Sequence, residues 1–161
     1  MKTTLTEIRP SRRAFMASAV ALALLPASTA FAAGPSIHVA KDPNCGCCNA
    51  WIDILQAAGF TVTIEDLGPE ALAQFKAASG LPANMLSCHT GKVEGYAIEG
   101  HVPVADILRL LQERPDAIGL AVPGMPYGSP GMGPEDEREA YDVFLVLKDG
   151  TTEVFASYAA A

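Results

Sequence analysis

The chain has 161 residues, half of them hydrophobic, with 11 Lys and Arg against 18 Asp and Glu and a formal net charge of −7. That is enough for one domain with a real apolar core. The acidic balance gives no electrostatic footprint for nucleic acid.

Residues 1–33 read as an export signal rather than as part of the fold. Ser11-Arg12-Arg13-Ala14-Phe15-Met16 has the form of a twin-arginine motif, followed by an uncharged run from Ala14 to Leu25 and small residues around Ala30-Phe31-Ala32-Ala33 that suit a signal peptidase. The alternative is a paired arginine in an ordinary secretory signal, and either one directs the chain to the bacterial periplasm. The run is too short for a membrane span, and no cysteine stands near the cleavage region, so no stable membrane anchor is expected. Removing the segment's net +3 leaves residues 34–161, a single expected domain, near −10. Such acidity can attract cations or a basic partner, and it also simply keeps proteins soluble.

Ile37 to Lys41 predicts a short strand, broken by Asp42-Pro43-Asn44. Cys48, Trp51, Ile52 and Leu55 then fall at i, i+3, i+4 and i+7, one apolar stripe of a helix that Gly59 stops. Phe60 to Asp66 predicts a second strand. Gly68-Pro69 opens a second helix with Leu72 and Phe75 inward, closed by Gly80-Leu81-Pro82. Lys92 to Glu99 predicts a third strand. Pro103 starts a third helix with Val104, Ile107, Leu108 and Leu111 on one face, and Asp53 and Asp106 read as solvated helix positions. Tyr141 to Leu147 and Thr151 to Tyr158 flank Asp149-Gly150, a strong hairpin signal. Before this hairpin, eight of the twelve residues from Pro123 to Pro134 are Pro or Gly; the segment is either a flexible linker or an ordered loop laid over something. The order β-α-β-α-β-α-β-β predicts an α/β fold of thioredoxin-like layout, a central mixed sheet with flanking helices and a C-terminal β-hairpin.

The chemistry is concentrated in four cysteines. Cys45, Cys47 and Cys48 fall within four residues, where the first strand hands over to the first helix, and the free N–H groups of a helix start favour thiolate there. The fourth, Cys88, stands beside His89. Thiolates this crowded repel one another: two unit charges about 4 Å apart cost about 4 kcal/mol at an effective dielectric near 20. Protons, disulfide bonds or a bound cation must offset that cost. Two plain structural disulfides fit poorly, because Cys47 and Cys48 are adjacent. Cys45 and Cys48 form a C-x-x-C pair, which invites a periplasmic thiol–disulfide oxidoreductase, but Cys47 would compete inside the motif.

A soft metal uses all four sulfurs without conflict. Zinc prefers two spaced pairs, and four thiolates on one Zn²⁺ leave −2 to bury. Cu(I) accepts two or three sulfurs, and a bridged cluster with as many Cu(I) ions as thiolates is neutral, the least costly species to bury. Ag(I) shares that softness and low coordination. The spacing fits none of the usual iron–sulfur runs. His89 is a candidate ligand, or a group that orients one, only if a turn brings it to the face Cys88 uses. A backbone hydrogen bond is the commoner role for His101, with ligation as the alternative, and His38 reads as a structural or surface histidine. Met125 and Met132 carry thioethers that Cu(I) accepts, against an ordinary packing role. No Ser-His-Asp order, paired catalytic carboxylates or phosphate-cradling loop appears, so a metal-binding protein is expected rather than an enzyme, with copper oxidoreductase activity left open. A passive structural module is the remaining alternative.

Asp42-Pro43-Asn44-Cys45-Gly46-Cys47-Cys48, Ser87-Cys88-His89-Thr90, Gly95-Tyr96, Glu99-Gly100-His101-Val102-Pro103 and the run from Gly119 through Met132 resemble the CopG-type periplasmic copper-handling proteins. The resemblance runs from about Ile37 to Tyr158. It implies a thioredoxin-like fold, a role in copper resistance, and a polynuclear Cu(I) cluster held by Cys45, Cys47, Cys48 and Cys88. It also implies interconversion of Cu(I) and Cu(II), or transfer of copper to other periplasmic copper-handling proteins.

Overall fold

The computed structural model describes residues 34–161; the expected export signal lies outside the described residues. Ten regular elements follow one another: β1 Ser36–Lys41, α1 Gly46–Ala57, β2 Thr61–Asp66, α2 Pro69–Ala78, β3 His89–Val93, β4 Tyr96–Glu99, α3 Val104–Glu113, β5 Ala117–Ala121, β6 Tyr141–Leu147 and β7 Thr152–Tyr158. Short 3-10 turns occupy Ala83–Met85 and Glu135–Glu137. The strands form one seven-stranded mixed sheet in the order β2-β1-β3-β4-β5-β6-β7. β1 and β2 are parallel, as are β4 and β5, and the other neighbours are antiparallel. The architecture is therefore mixed α/β with a C-terminal hairpin, compatible with a thioredoxin-like layout.

Strand alternation gives the sheet two different faces. Ile37, Val39, Ile98 and Leu120 join Trp51, Ile52 and Leu55 of α1 and Ile107 and Leu110 of α3 in the main core. Ala97, Ala121 and Val146 point the other way and pack with Leu81 and Met85. The stripe on α1 is buried as its spacing predicts.

Three expectations need correction. The single strand expected over Lys92–Glu99 is two strands, β3 and β4, paired antiparallel from Val93↔Tyr96 to Thr90↔Glu99. Glu94 and Gly95 between them both take positive φ, the geometry of a two-residue hairpin turn, and the apolar residues on each side conceal it in the sequence. Leu108 is 44% exposed while Leu110 is buried in its place, because the inward face of α3 is set by Ile107 and Leu110. Asp106 is not solvated but 5% exposed, accepting a 2.7 Å hydrogen bond from the Tyr158 hydroxyl of β7. The strand β5 is additional; its sequence, AIGLA, is poor in the β-branched and aromatic residues that signal a strand.

Candidate metal centre

The chain leaves β1 through a turn in which the Cys45 N–H donates to Asp42 O and the Asn44 N–H to the Asp42 carboxylate. Cys45 becomes the N-cap of α1, and Cys47 and Cys48 occupy its first turn. No side chain caps this helix end and no acidic residue stands in its first turn, so the positive end of the helix dipole is left to favour thiolate there. Cys45 and Cys48 are joined as a disulfide, with Cα atoms 5.3 Å apart. Cys47 and Cys88 are free thiols. Cys47 Sγ lies 3.5 Å from Cys45 Sγ and 3.9 Å from Cys88 Sγ. All four sulfurs lie within 4.8 Å of one another.

Cys88 is also the meeting point of a second group. Its Sγ is 3.2 Å from His89 Nδ1 and 3.2 Å from His101 Nε2. His101 Nδ1 faces the Pro130 carbonyl at 2.8 Å, and a carbonyl only accepts, so Nδ1 carries the proton. The neutral ring then directs its Nε2 lone pair at the Cys88 sulfur, the arrangement that orients an imidazole ligand. His101 thus makes the expected backbone hydrogen bond and also reaches the sulfurs.

His89 opens β3 and is fully buried between the Trp51 ring, centroids 4.3 Å apart, and the edge of His101. Its Nε2 has no hydrogen-bond partner among the described residues. Burial, followed by the neighbouring His101 and Lys76, holds its pKa well below the usual histidine value, so the ring is neutral. The His101 pKa is lowered as well, mainly by burial. Cys88 moves the opposite way: burial and the nearby Cys47 push its thiol up to about 11. The pocket therefore holds neutral imidazoles and a protonated thiol, and a soft cation would displace that proton.

The Pro/Gly-rich segment is an ordered loop laid over this centre. Ser129 Oγ donates to Pro126 O, the Met132 N–H to Ser129 O, and the Gly128 N–H to Met132 O. Gly131, at φ +84°, presses on the first turns of α1; a Cβ there would come within 2.8 Å of Trp51 N and 3.0 Å of Cys47 O. Trp51 closes the site from below, donating its indole N–H to Val102 O at 2.9 Å. Met125 stands 54% exposed on this loop and Met132 is half-buried. His38 is elsewhere, bonded to Thr63 and Glu65.

The sequence reading assigned no role to Lys76. It is buried and donates to Glu99 and Thr90, while Glu99 also accepts the Ser87 N–H at 2.7 Å. A lysine in a helix with alanine neighbours carries no signal of burial.

The donor set suits a soft metal: thiol sulfurs, imidazole nitrogens and no carboxylate in either converging group. Reduction of the Cys45–Cys48 bond is required before all four sulfurs can serve together. The sequence pattern of the family described as "Protein of unknown function, DUF411" matches residues 85–132. A solved structure titled "Copper resistance protein copG- Form 1" is 47% identical, with a TM-score of 0.73, covering 79% of this chain and 100% of that one. The Form 2 structure is 48% identical, with a TM-score of 0.71, covering 77% of this chain and 98% of that one. This chain belongs to the CopG copper resistance protein family. No curated protein sequence matches it. The CopG relationship covers 79% of the chain, well beyond the residues 85–132 that the family pattern matches.

Proposed function

We propose that this chain binds several Cu(I) ions through Cys45, Cys47, Cys48 and Cys88, and acts in copper resistance by sequestration, transfer or Cu(I)/Cu(II) redox. The observation that carries this reading is the convergence of four sulfurs from two distant segments within 4.8 Å. In the reduced protein, bridging Cu(I) ions equal in number to the thiolates neutralise the charge that otherwise opposes that approach. His89 and His101 serve as nitrogen ligands beside Cys88, and the thioethers of Met125 and Met132 remain candidate ligands. Ag(I) fits the same donors.

Action in the periplasm after twin-arginine export rests on Arg12-Arg13 and the apolar run that follows. Residues 34–161 are the functional domain in this reading. No helix among the described residues is long and apolar enough to cross a membrane.

The Cys45–Cys48 bond favours a second reading, a thiol–disulfide oxidoreductase using that pair. Copper analysis of the reduced protein, beside a Cys47→Ser variant, separates the two. The copper reading predicts more than one copper per chain and a lower copper content in the variant. Copper-free protein that reduces insulin disulfides, undiminished by Cys47→Ser, favours the oxidoreductase.

A further inference from the structure

Cys88 is the one cysteine that does not stand at the start of α1, so the centre forms only if a separate segment carries this sulfur to it. The Ser87–Thr90 segment is held by one buried carboxylate. Glu99 is 0% exposed; its Oε1 accepts the Ser87 N–H at 2.7 Å and its Oε2 accepts the Thr90 hydroxyl at 2.5 Å. The residues immediately before and after the Cys88-His89 pair are therefore tied to the same group. Lys76, reaching in from α2 and 6% exposed, donates to Glu99 Oε1 at 2.5 Å and to Thr90 Oγ1 at 3.0 Å. Glu99 also ends β4 two residues before His101, and the Gly100 N–H donates to His89 O. One ion pair thus sets the backbone around Cys88, His89 and His101 together.

Stability is a weak reason to keep such a pair. Removing both ions from water costs several kcal/mol each, and well-packed apolar replacements are often neutral or better. What apolar groups cannot supply is an acceptor for the Ser87 N–H and the Thr90 hydroxyl. We propose that Lys76 and Glu99 are positioning residues of the copper centre, holding the Ser87–Thr90 segment where the Cys88 sulfur meets Cys47 and the two imidazoles. The proposal rests on the copper reading above.

The test compares the reduced full chain with three variants, measuring Cu(I) affinity by competition with bicinchoninate, the thiolate-to-copper ultraviolet band per copper, and thermal unfolding. Lys76→Met with Glu99→Leu removes both charges and the acceptor, and is expected to weaken Cu(I) binding about 10- to 100-fold, the usual cost of losing groups that orient metal ligands. Lys76→Met with Glu99→Gln also removes both charges but keeps a carbonyl oxygen for the Ser87 N–H, and is expected to restore most of the affinity and the band. If the Leu variant does not fold, Thr90→Val carries the test: it removes one donor to Glu99, keeps the pair, and should weaken binding measurably in a protein that stays folded at a cost of about 1 kcal/mol. Wild-type affinity in the Leu variant, or in Thr90→Val, overturns the proposal. So does a Gln variant that loses as much as the Leu variant. In those outcomes the copper reading stands, because the unaltered protein still binds; failure of the unaltered protein to bind Cu(I) overturns both.

Discussion

The two faces of strands β3 and β4 both bury polar groups, and they treat them differently. On the side of α2, Lys76, Glu99, Thr90 and the Ser87 N–H satisfy one another. On the side of Trp51, among the described residues, His89 Nε2 has no partner, and Cys47 and Cys88 face only other sulfurs, imidazoles and a hydroxyl. A buried polar cluster with every atom engaged needs no added ligand to satisfy it. One that gathers soft lone pairs and a reluctant thiol is built for something that enters from outside. The Asp106–Tyr158 contact at the C-terminal hairpin belongs to the first kind.

Breaking the open cluster should have the largest effect. Cys88→Ser removes the atom shared by the sulfur group and the imidazole group, and should weaken Cu(I) binding by roughly 100-fold or more, beyond the usual cost of disturbing a group that only orients a ligand. Chelator competition reads it, and an unchanged affinity would place the copper elsewhere. The pH profile sharpens the same contrast. The Cys88 thiol sits at about 11, so copper must displace its proton throughout the neutral range, and binding weakens as pH falls. The Cys88 proton alone raises affinity about tenfold per pH unit, or about 100-fold between pH 6 and 8, while neutral His89 contributes no proton. A flat profile contradicts this.

Smaller effects fall on the supports. Gly131→Ala forces a side chain into a left-handed position against Cys47 O and Trp51 N, and should cost about 1–3 kcal/mol in urea unfolding. Tyr158→Phe leaves the buried Asp106 carboxylate without its hydroxyl donor, and should cost about 1 kcal/mol while Cu(I) affinity stays unchanged. Loss of copper binding in that variant would show that the Asp106–Tyr158 contact also bears on the copper centre.

Local features were legible in the chain. The α1 stripe of Cys48, Trp51, Ile52 and Leu55 follows from 3.6-residue periodicity, and the β6–β7 hairpin from Asp149-Gly150. The position of Cys45 at a helix start came from the same reasoning. Long-range features were not legible. The turn at Glu94–Gly95 lies inside one continuous strand-like run, and β5, with Ala or Gly at three of its five positions, takes its strand state from its neighbours β4 and β6. Lys76 carried no signal and Asp106 read as solvated because burial of a charge depends on a partner, Glu99 or Tyr158, that lies 23 or 52 residues away. His101 could be weighed between backbone and sulfur from the sequence, but only the fold shows that its two ring nitrogens serve both.

The central claim is that the four sulfurs are drawn together around copper. X-ray absorption on reduced protein, titrated anaerobically with Cu(I), tests it most directly. More than one copper per chain, sulfur-dominated coordination and a copper–copper scattering path from bridged ions are expected. A single copper bound through nitrogen and oxygen only, with the cysteines left free to react, would contradict it.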